Sequence, residues 1–492
     1  MKVLFTSSEI TPWVKTGGLA DVTAGIPDAL RAIGIDARIL VPAYPALKAA
    51  FPNAPMVAAF NAPHGQLYGG AIREARTAQG APIYLLECDA WFDRSGSPYF
   101  GPEGRDWLDN PLRFGQLSAV AALLASGSSP LEWRPDILHC NDWQTGLAPS
   151  FLHYYHAWGP RAATVMTIHN LAFQGQFGRD LMPALGLPDY AWGMDGVEYY
   201  GCISFLKGGL QHADAITTVS PTYAKEIQTP VEGMGMDGLL RYRADRITGI
   251  INGIDTTQWN PAADSQLIAP YDANRLARKA VNSAELRVEM GLEQTTEMPL
   301  FGIISRLTDQ KGLDLVAQIA AELAALPVQL AVLGSGRRDL EAAFLDMAHR
   351  WPGQFAVRIG FDEGLAHRIE AGADFFLMPS RFEPCGLNQM YSLCYGTLPI
   401  VRATGGLADT VIDAADEELG NGFVFDEATP TALLAAVKRA VSLWQHRSRF
   451  KAMQRRAMSA DFSWTGPAEA YAKLYRSLRP DAAASEVRTE RH

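Results

Sequence analysis

Leu398-Pro399-Ile400-Val401-Arg402-Ala403-Thr404-Gly405-Gly406-Leu407-Ala408-Asp409 is the stretch on which the architecture turns. A short apolar run, Leu398 to Val401, leads into paired glycines, and a helix-like segment follows. Six of these residues, Thr404 to Asp409, recur word for word as Thr16-Gly17-Gly18-Leu19-Ala20-Asp21. Paired glycines let a backbone approach a ligand closely, and a helix amino terminus offers N–H groups to anions or hydroxyls. Two copies in equivalent local settings predict paired ligand loops, one in each half of the chain. Outward from these loops, apolar runs bounded by turn residues alternate with segments at helical spacing. In the first half the strands are expected at Val3–Thr6, Ala37–Val41, Ile83–Leu86, Ile137–Cys140, Thr164–Ile168 and Ile216–Val219. In the second half they are expected at Leu300–Ser305, Gln329–Leu333, Ala356–Ile359, Phe375–Met378, Leu398–Val401 and Phe423–Phe425. Such alternation predicts an α/β fold of two doubly wound domains, each with a parallel sheet covered by helices. The expected divisions are 1–248, 249–462, a helix within 463–480, and a disordered tail over 481–492. A hinge is expected near Thr248–Asp255, where Gly249 and Gly253 flank Ile250-Ile251-Asn252.

Ligands of open parallel sheets bind beyond the carboxyl ends of the strands, so the residues that follow each strand matter most. The first half places there Lys15 with its glycine loop, Asn141-Asp142-Trp143, His169-Asn170 and Ser220. The second half places there Arg306 and Lys311, Gly334-Ser335-Gly336, Gly360-Phe361, Ser380 to Gly386, and Thr404 to Gly406. If both sets face one deep cleft, they hold two substrates and exclude water. Ser305-Arg306-Leu307-Thr308-Asp309-Gln310-Lys311-Gly312 puts two cations between a strand and a helix. A guanidinium fork and a compact ammonium suit phosphate oxygens and stabilise charge on a departing diphosphate. In Ser380-Arg381-Phe382-Glu383-Pro384-Cys385-Gly386, a carboxylate in a tight turn after a strand is aimed into a site. Group transfer from a nucleotide-activated donor is the chemistry this pattern predicts.

Composition narrows the remaining classes. At 492 residues the chain exceeds one ordinary core. Forty-three basic against 53 acidic residues, a net charge of −10, argue against a nucleic-acid coat. The apolar run at the amino terminus is too short for a signal-peptide core, and no apolar stretch is long enough to span a membrane. Five cysteines without a C-x-x-C pair favour neither a disulfide framework nor a structural zinc site. A cytoplasmic enzyme with no membrane or nucleic-acid partner is the expectation.

From Lys2 to about Leu478 the sequence resembles the bacterial glycogen synthases and plant starch synthases, retaining glucosyltransferases of the GT-B fold. The motifs that carry the resemblance are Lys15 to Asp21, Thr167-Ile168-His169-Asn170-Leu171, Asn252-Gly253-Ile254-Asp255, Ser305 to Gly312, and Ser380 to Gln389. The resemblance implies two Rossmann-like domains, the first on the acceptor side and the second on the nucleotide-sugar side, with the final helix returning to the first. It implies transfer of glucose from ADP-glucose to the non-reducing end of a (1→4)-α-glucan such as glycogen or a maltooligosaccharide. Configuration is retained, ADP is released, and neither a cofactor nor a metal is needed. Glu383, His169, Arg306 and Lys311 would be catalytic. Lys15, Gly18, Thr404, Gly405 and Gly406 would meet the donor phosphates, as would Arg306 and Lys311. Asn252, Gly334 and the Cys385-Gly386-Leu387 backbone would also lie against the donor, with Phe361 stacked on adenine. Asp21, Asp142 and Asn170 would orient sugar or acceptor hydroxyls. Three departures stand out. The family's His-Asp-Trp-His reads Asn141-Asp142-Trp143-Gln144 here. Tyr391 takes the second place of the E-x7-E pattern. Lys279-Ala280-Val281-Asn282-Ser283 lacks the family's second lysine, with Lys279 one helical turn away as a possible substitute.

Two other classes compete. An NAD-dependent oxidoreductase would need G-x-G-x-x-G after the first strand, where Lys-Thr-Gly-Gly stands instead. A non-catalytic glucan-binding protein of the same fold would have no use for Glu383, Arg306, Lys311 and His169 together. His153 and His156 lie one helical turn apart without a third metal ligand, so a helix surface explains them.

Overall fold

A computed structural model describes residues 1–480, so the tail expected to be disordered lies outside the described residues. The chain forms two compact units. The first holds Met1–Val219, Ala224–Gly253 and the segment from Trp464; the second holds Ser220–Tyr223 and Ile254–Ser463. The first therefore keeps Gly249–Gly253, because Ile247–Gly249 pairs in parallel with Ala215–Thr218 and the Ile250 amide then donates to Thr218 O. Ser220 and Thr222 belong with the second because the Asp409 carboxylate accepts from both.

The first unit is built on a nine-stranded sheet. Its order is Ile247–Gly249, Ala215–Thr218, Ala163–Ile168, Ile137–Asn141, Lys2–Thr6, Asp36–Pro42, Pro82–Glu87, Gly70–Arg76, Met56–Phe60. Neighbours pair in parallel from Ile247–Gly249 to Pro82–Glu87, and Gly70–Arg76 pairs antiparallel with both Pro82–Glu87 and Met56–Phe60 at the edge. The parallel strands are apolar and buried on both faces, as sheets covered by helices require. Sequence reading missed the two antiparallel strands. Met56–Phe60 is largely exposed, and Gly70–Arg76 mixes charge with apolar residues, so neither reads as a buried run. It also missed a three-stranded sheet between Gln176 and Ser204, whose strands are only two or three residues long.

The second unit has a six-stranded, wholly parallel sheet in the order Phe355–Ile359, Gln329–Gly334, Leu300–Ile304, Phe375–Met378, Leu398–Arg402, Phe423–Phe425. Numbered along the chain this is 3-2-1-4-5-6, the doubly wound order of dinucleotide-binding domains. The order reverses between Leu300–Ile304 and Phe375–Met378. In the first unit it reverses between Lys2–Thr6 and Ile137–Asn141. Both reversals open the crevices where such sheets bind ligands.

The last helix, Thr465–Leu478, packs on the first unit. Trp464, Ala468, Tyr471, Ala472 and Tyr475 share a core with Val3, Phe5, Ile26 and Val165. Among the described residues no helix is long and apolar enough to cross a membrane, and no disulfide joins the cysteines.

Candidate functional site

At the reversal in the first sheet, the Lys2–Thr6 strand runs into Ser7-Ser8-Glu9 and then the Lys15–Gly18 loop. Glu9 is 3% exposed. Its Oε2 accepts from the amides of Thr16 at 2.5 Å and Gly17 at 3.3 Å. Its Oε1 accepts from Thr16 Oγ1 at 2.5 Å and from the Tyr99 hydroxyl. Lys15 Nζ lies 2.8 Å from Asp21 Oδ1, both side chains being partly exposed. The resemblance assigned these two residues to phosphate and to sugar; the structure joins them.

Across the reversal, Ile137–Asn141 delivers Asn141 and Asp142. Asn141 Nδ2 donates to Thr6 O at 3.0 Å, which leaves Oδ1 to accept from His169 Nε2 at 2.9 Å. His169 is thereby held with its proton on Nε2 and a lone pair on Nδ1. Burial pushes its pKa down to about 3, so the ring is neutral. Asp142 stands at a positive φ of 55° and turns its carboxylate under the next strand end, where Oδ1 accepts from the His169 amide at 2.7 Å. Burial pushes the Asp142 carboxyl up to about 7, opposed by the His169 and Asn170 amides and assisted by the nearby Glu9 charge. Behind this floor His139 joins Tyr475 OH at 2.6 Å to Thr167 Oγ1 at 2.5 Å. Asp142, His169 and Asn170 therefore form one connected group, while Asn252, placed with the donor from sequence, is buried in the first unit.

In the second unit the two strands at the reversal lead to the candidate residues. Leu300–Ile304 leads to Arg306 and Lys311, and Phe375–Met378 leads to Ser380 and Glu383. Lys311 Nζ is 2.6 Å from Glu383 Oε2, and Ser380 Oγ donates to the same oxygen at 2.9 Å. Glu383 is 5% exposed, and its Oε1 has no partner among the described residues. Arg306 is exposed and its guanidinium has no partner among the described residues either. A fixed, largely buried Lys–Glu pair and an exposed arginine earlier in the same loop suit the holding of an anion next to a polar group.

The glycine repeat divides in use. A Cβ on Gly405 would lie 2.0 Å from Glu383 O, and one on Gly406 would lie 2.0 Å from Cys385 O. The Gly406 amide donates to Glu383 O and Pro384 O at 3.2 and 3.1 Å. These glycines bring their loop against the Glu383–Cys385 backbone, so the Gly406 N–H is already engaged rather than offered to a ligand. A Cβ on Gly17 would meet nothing within 4 Å. Leu387 and Gly386 lead into the Asn388–Cys394 helix, Thr404 and Cys385 are buried, and Gly334 ends its strand. Phe361 is 88% exposed, and among the described residues its ring stacks on no other side chain.

The substitute proposed at Lys279 fails. Its ammonium is buried among Tyr271 OH, Glu370 O, Ala371 O, Tyr395 O and Thr397 Oγ1, at 2.7 to 3.2 Å. Ser283 Oγ instead accepts from Arg287 at 2.6 Å. The helical spacing was right, but the helix buries the Lys279 side of that turn. Glu9 and Tyr99 are the residues sequence reading missed. An acid between the first strand and the glycine loop was the available signal. Among the described residues no group of three or more His, Cys, Asp or Glu could hold a metal ion.

Known proteins place this geometry. The family model "Starch synthase catalytic domain" matches residues 2–242, and "Glycosyl transferases group 1" matches 291–457. A glycogen synthase of Dechloromonas aromatica is 56% identical over 97% of this chain and 98% of its own. One from Aromatoleum aromaticum is 51% identical over 98% of each. The catalytic domain of starch synthase IV from Arabidopsis thaliana, solved bound to ADP and acarbose, superposes with a TM-score of 0.85. It is 31% identical, and the match covers 97% of this chain and 99% of that one. The sucrose-phosphate synthase of Thermosynechococcus elongatus, 16% identical with a TM-score of 0.57 over 97% and 98%, shares the fold alone. The chain belongs to the glycogen synthase family, glycosyltransferases of the GT-B fold.

Proposed function

We propose that the protein transfers glucose from ADP-glucose to the 4-hydroxyl at the non-reducing end of a (1→4)-α-glucan, with retention of configuration. The observation that carries this reading is the Lys311–Glu383–Ser380 cluster, with Arg306 in the same loop as Lys311, at the reversal of the second sheet. ADP and acarbose in the related starch synthase supply the ligand classes. In the reaction the bond from the anomeric carbon to the β-phosphate oxygen breaks, and the acceptor oxygen bonds to that carbon on the same face. The acceptor proton passes to the departing phosphate, leaving ADP and a chain one glucose longer. Arg306 and Lys311 neutralise the charge that grows on the diphosphate, with no metal ion in the step. Glu383 keeps Oε2 on Lys311 and Ser380 and presents Oε1 to the sugar as positive charge develops. In the first unit, His169 Nδ1 accepts a sugar hydroxyl hydrogen while Nε2 stays on Asn141. Lys15 is a further phosphate contact.

The experiment is incorporation of labelled glucose from ADP-glucose and from UDP-glucose into glycogen. Preference for ADP-glucose with α-linked product is expected. Preference for UDP-glucose would overturn the donor assignment, and no incorporation from either would favour a non-catalytic glucan binder.

A further inference from the structure

In the Lys15 loop the amides of Thr16 and Gly17 do not stand open. Both point at one carboxylate oxygen of Glu9, and the other oxygen takes the Thr16 and Tyr99 hydroxyls. Tyr99 OH also lies 2.8 Å from Ser8 Oγ, so the strand end, the loop and a segment ninety residues away meet at this side chain. Among the described residues no cation pairs with Glu9; its contacts are neutral donors, which such a buried acceptor needs in number. An anion inside a glycine turn is ordinarily a ligand's phosphate. Here the protein supplies the anion itself.

We propose that Glu9 is the positioning residue of the Lys15 loop: its carboxylate occupies the inside of the turn and so fixes where Lys15 meets the donor. Lys15 is itself partly exposed and, among the described residues, its ammonium is tied only to Asp21, a contact too weak to set its place. The loop backbone must do so, and Glu9 holds the two residues that follow Lys15. The inference rests on the proposed role of Lys15 in donor binding.

The test is a double-mutant cycle between Glu9→Gln and Lys15→Ala, reading the dissociation constant of ADP, kcat and KM for ADP-glucose, and thermal melting. Glutamine keeps the shape of the side chain but offers one acceptor oxygen where the loop needs two. Expected is a loss of ADP affinity on the order of 10- to 100-fold, the scale of a misplaced binding group. In the Lys15→Ala background the same change should cost less than about twofold. If Lys15→Ala weakens ADP binding while Glu9→Gln does not, or if the two losses multiply, the positioning role is wrong and the reading of Lys15 stands. If Lys15→Ala leaves ADP binding unchanged, both fall. Should Glu9→Gln fail to fold, Thr16→Val removes one donor and leaves the carboxylate. It should give a smaller loss of the same kind, again absent without Lys15, and unchanged ADP affinity in Thr16→Val would overturn the proposal.

Discussion

Arg306 and Lys311 have the same charge and the same proposed task, yet they sit in different surroundings. Arg306 is exposed and uncommitted, whereas Lys311 is the counter-ion of a carboxylate that is nearly buried. Alanine at either position should lower kcat by roughly 10²- to 10³-fold. Only Lys311→Ala should also lower the melting temperature, because it leaves Glu383 with Ser380 alone, a cost of about 3 kcal/mol. Equal melting temperatures would mean the pair contributes nothing to the fold. Glu383→Gln should reduce kcat more than donor affinity in steady-state kinetics, since the charge Glu383 is proposed to answer appears only in the transition state. Asp142 supplies a test in pH. Its folded pKa is raised to about 7 by burial, against about 3.9 unfolded. Between those values the folded protein holds a proton that the unfolded chain has released, so this group's contribution to stability falls as pH rises. His139 and His169, pushed down to about 3 by burial, act oppositely and cost stability as pH drops below about 6.5. Asp142→Asn keeps the acceptor for the His169 amide. Denaturant titrations should show it gaining on the parent protein by on the order of a few kcal/mol from pH 4 to pH 7. A constant difference across that range would mean that Asp142 ionises in the fold as it does in water.

At the scale of elements, one hexapeptide is put to two uses. After the Leu398–Arg402 strand, the glycines let a short helix press on the backbone that carries Glu383. After the Lys2–Thr6 strand, the same residues form a loop around the Glu9 carboxylate. Alanine substitution should separate the two. Gly406→Ala forces backbone against backbone and should cost more than about 2 kcal/mol, with Glu383 displaced and turnover lost. Gly17→Ala has open space and an extended φ of −161°, so its effect on melting should stay within about 0.5 kcal/mol. If Gly17→Ala nevertheless weakens ADP binding in a normally melting protein, a ligand approaches that backbone. If it leaves both unchanged, the first copy of the motif serves the loop alone.

The whole molecule depends on a long return of the chain. The Thr465–Leu478 helix is the last described, yet it completes the core of the first unit and supplies the Tyr475 hydroxyl to His139. Tyr475→Phe removes one oxygen and leaves a buried imidazole nitrogen without its partner, at a cost of about 1–3 kcal/mol. Ending the chain at Ser463 uncovers Val3, Phe5 and Val165, and should abolish cooperative melting of the first unit. A truncated protein that melts normally would show that the helix only decorates the surface.

The sequence by itself determined the alternation of strands and helices, the two doubly wound sheets and the identity of the polar residues at their carboxyl ends. Buried parallel strands such as Ile137–Asn141 and Phe375–Met378 must be apolar on both faces, so their positions are written locally. Arg306, Lys311, Glu383 and His169 were singled out for a related reason, since each lies in a segment that follows the end of a strand. Only the tertiary structure decided what these groups touch. Lys311 meets Glu383 across 72 residues, Glu9 meets Tyr99 across 90, and His139 meets Tyr475 across 336. It also turned Lys279 inward onto carbonyls that a helical-spacing argument cannot see. Periodicity reports which face of an element is buried. Which donor finds which acceptor depends on strand order and on the return of distant segments, and no local stretch of residues encodes either.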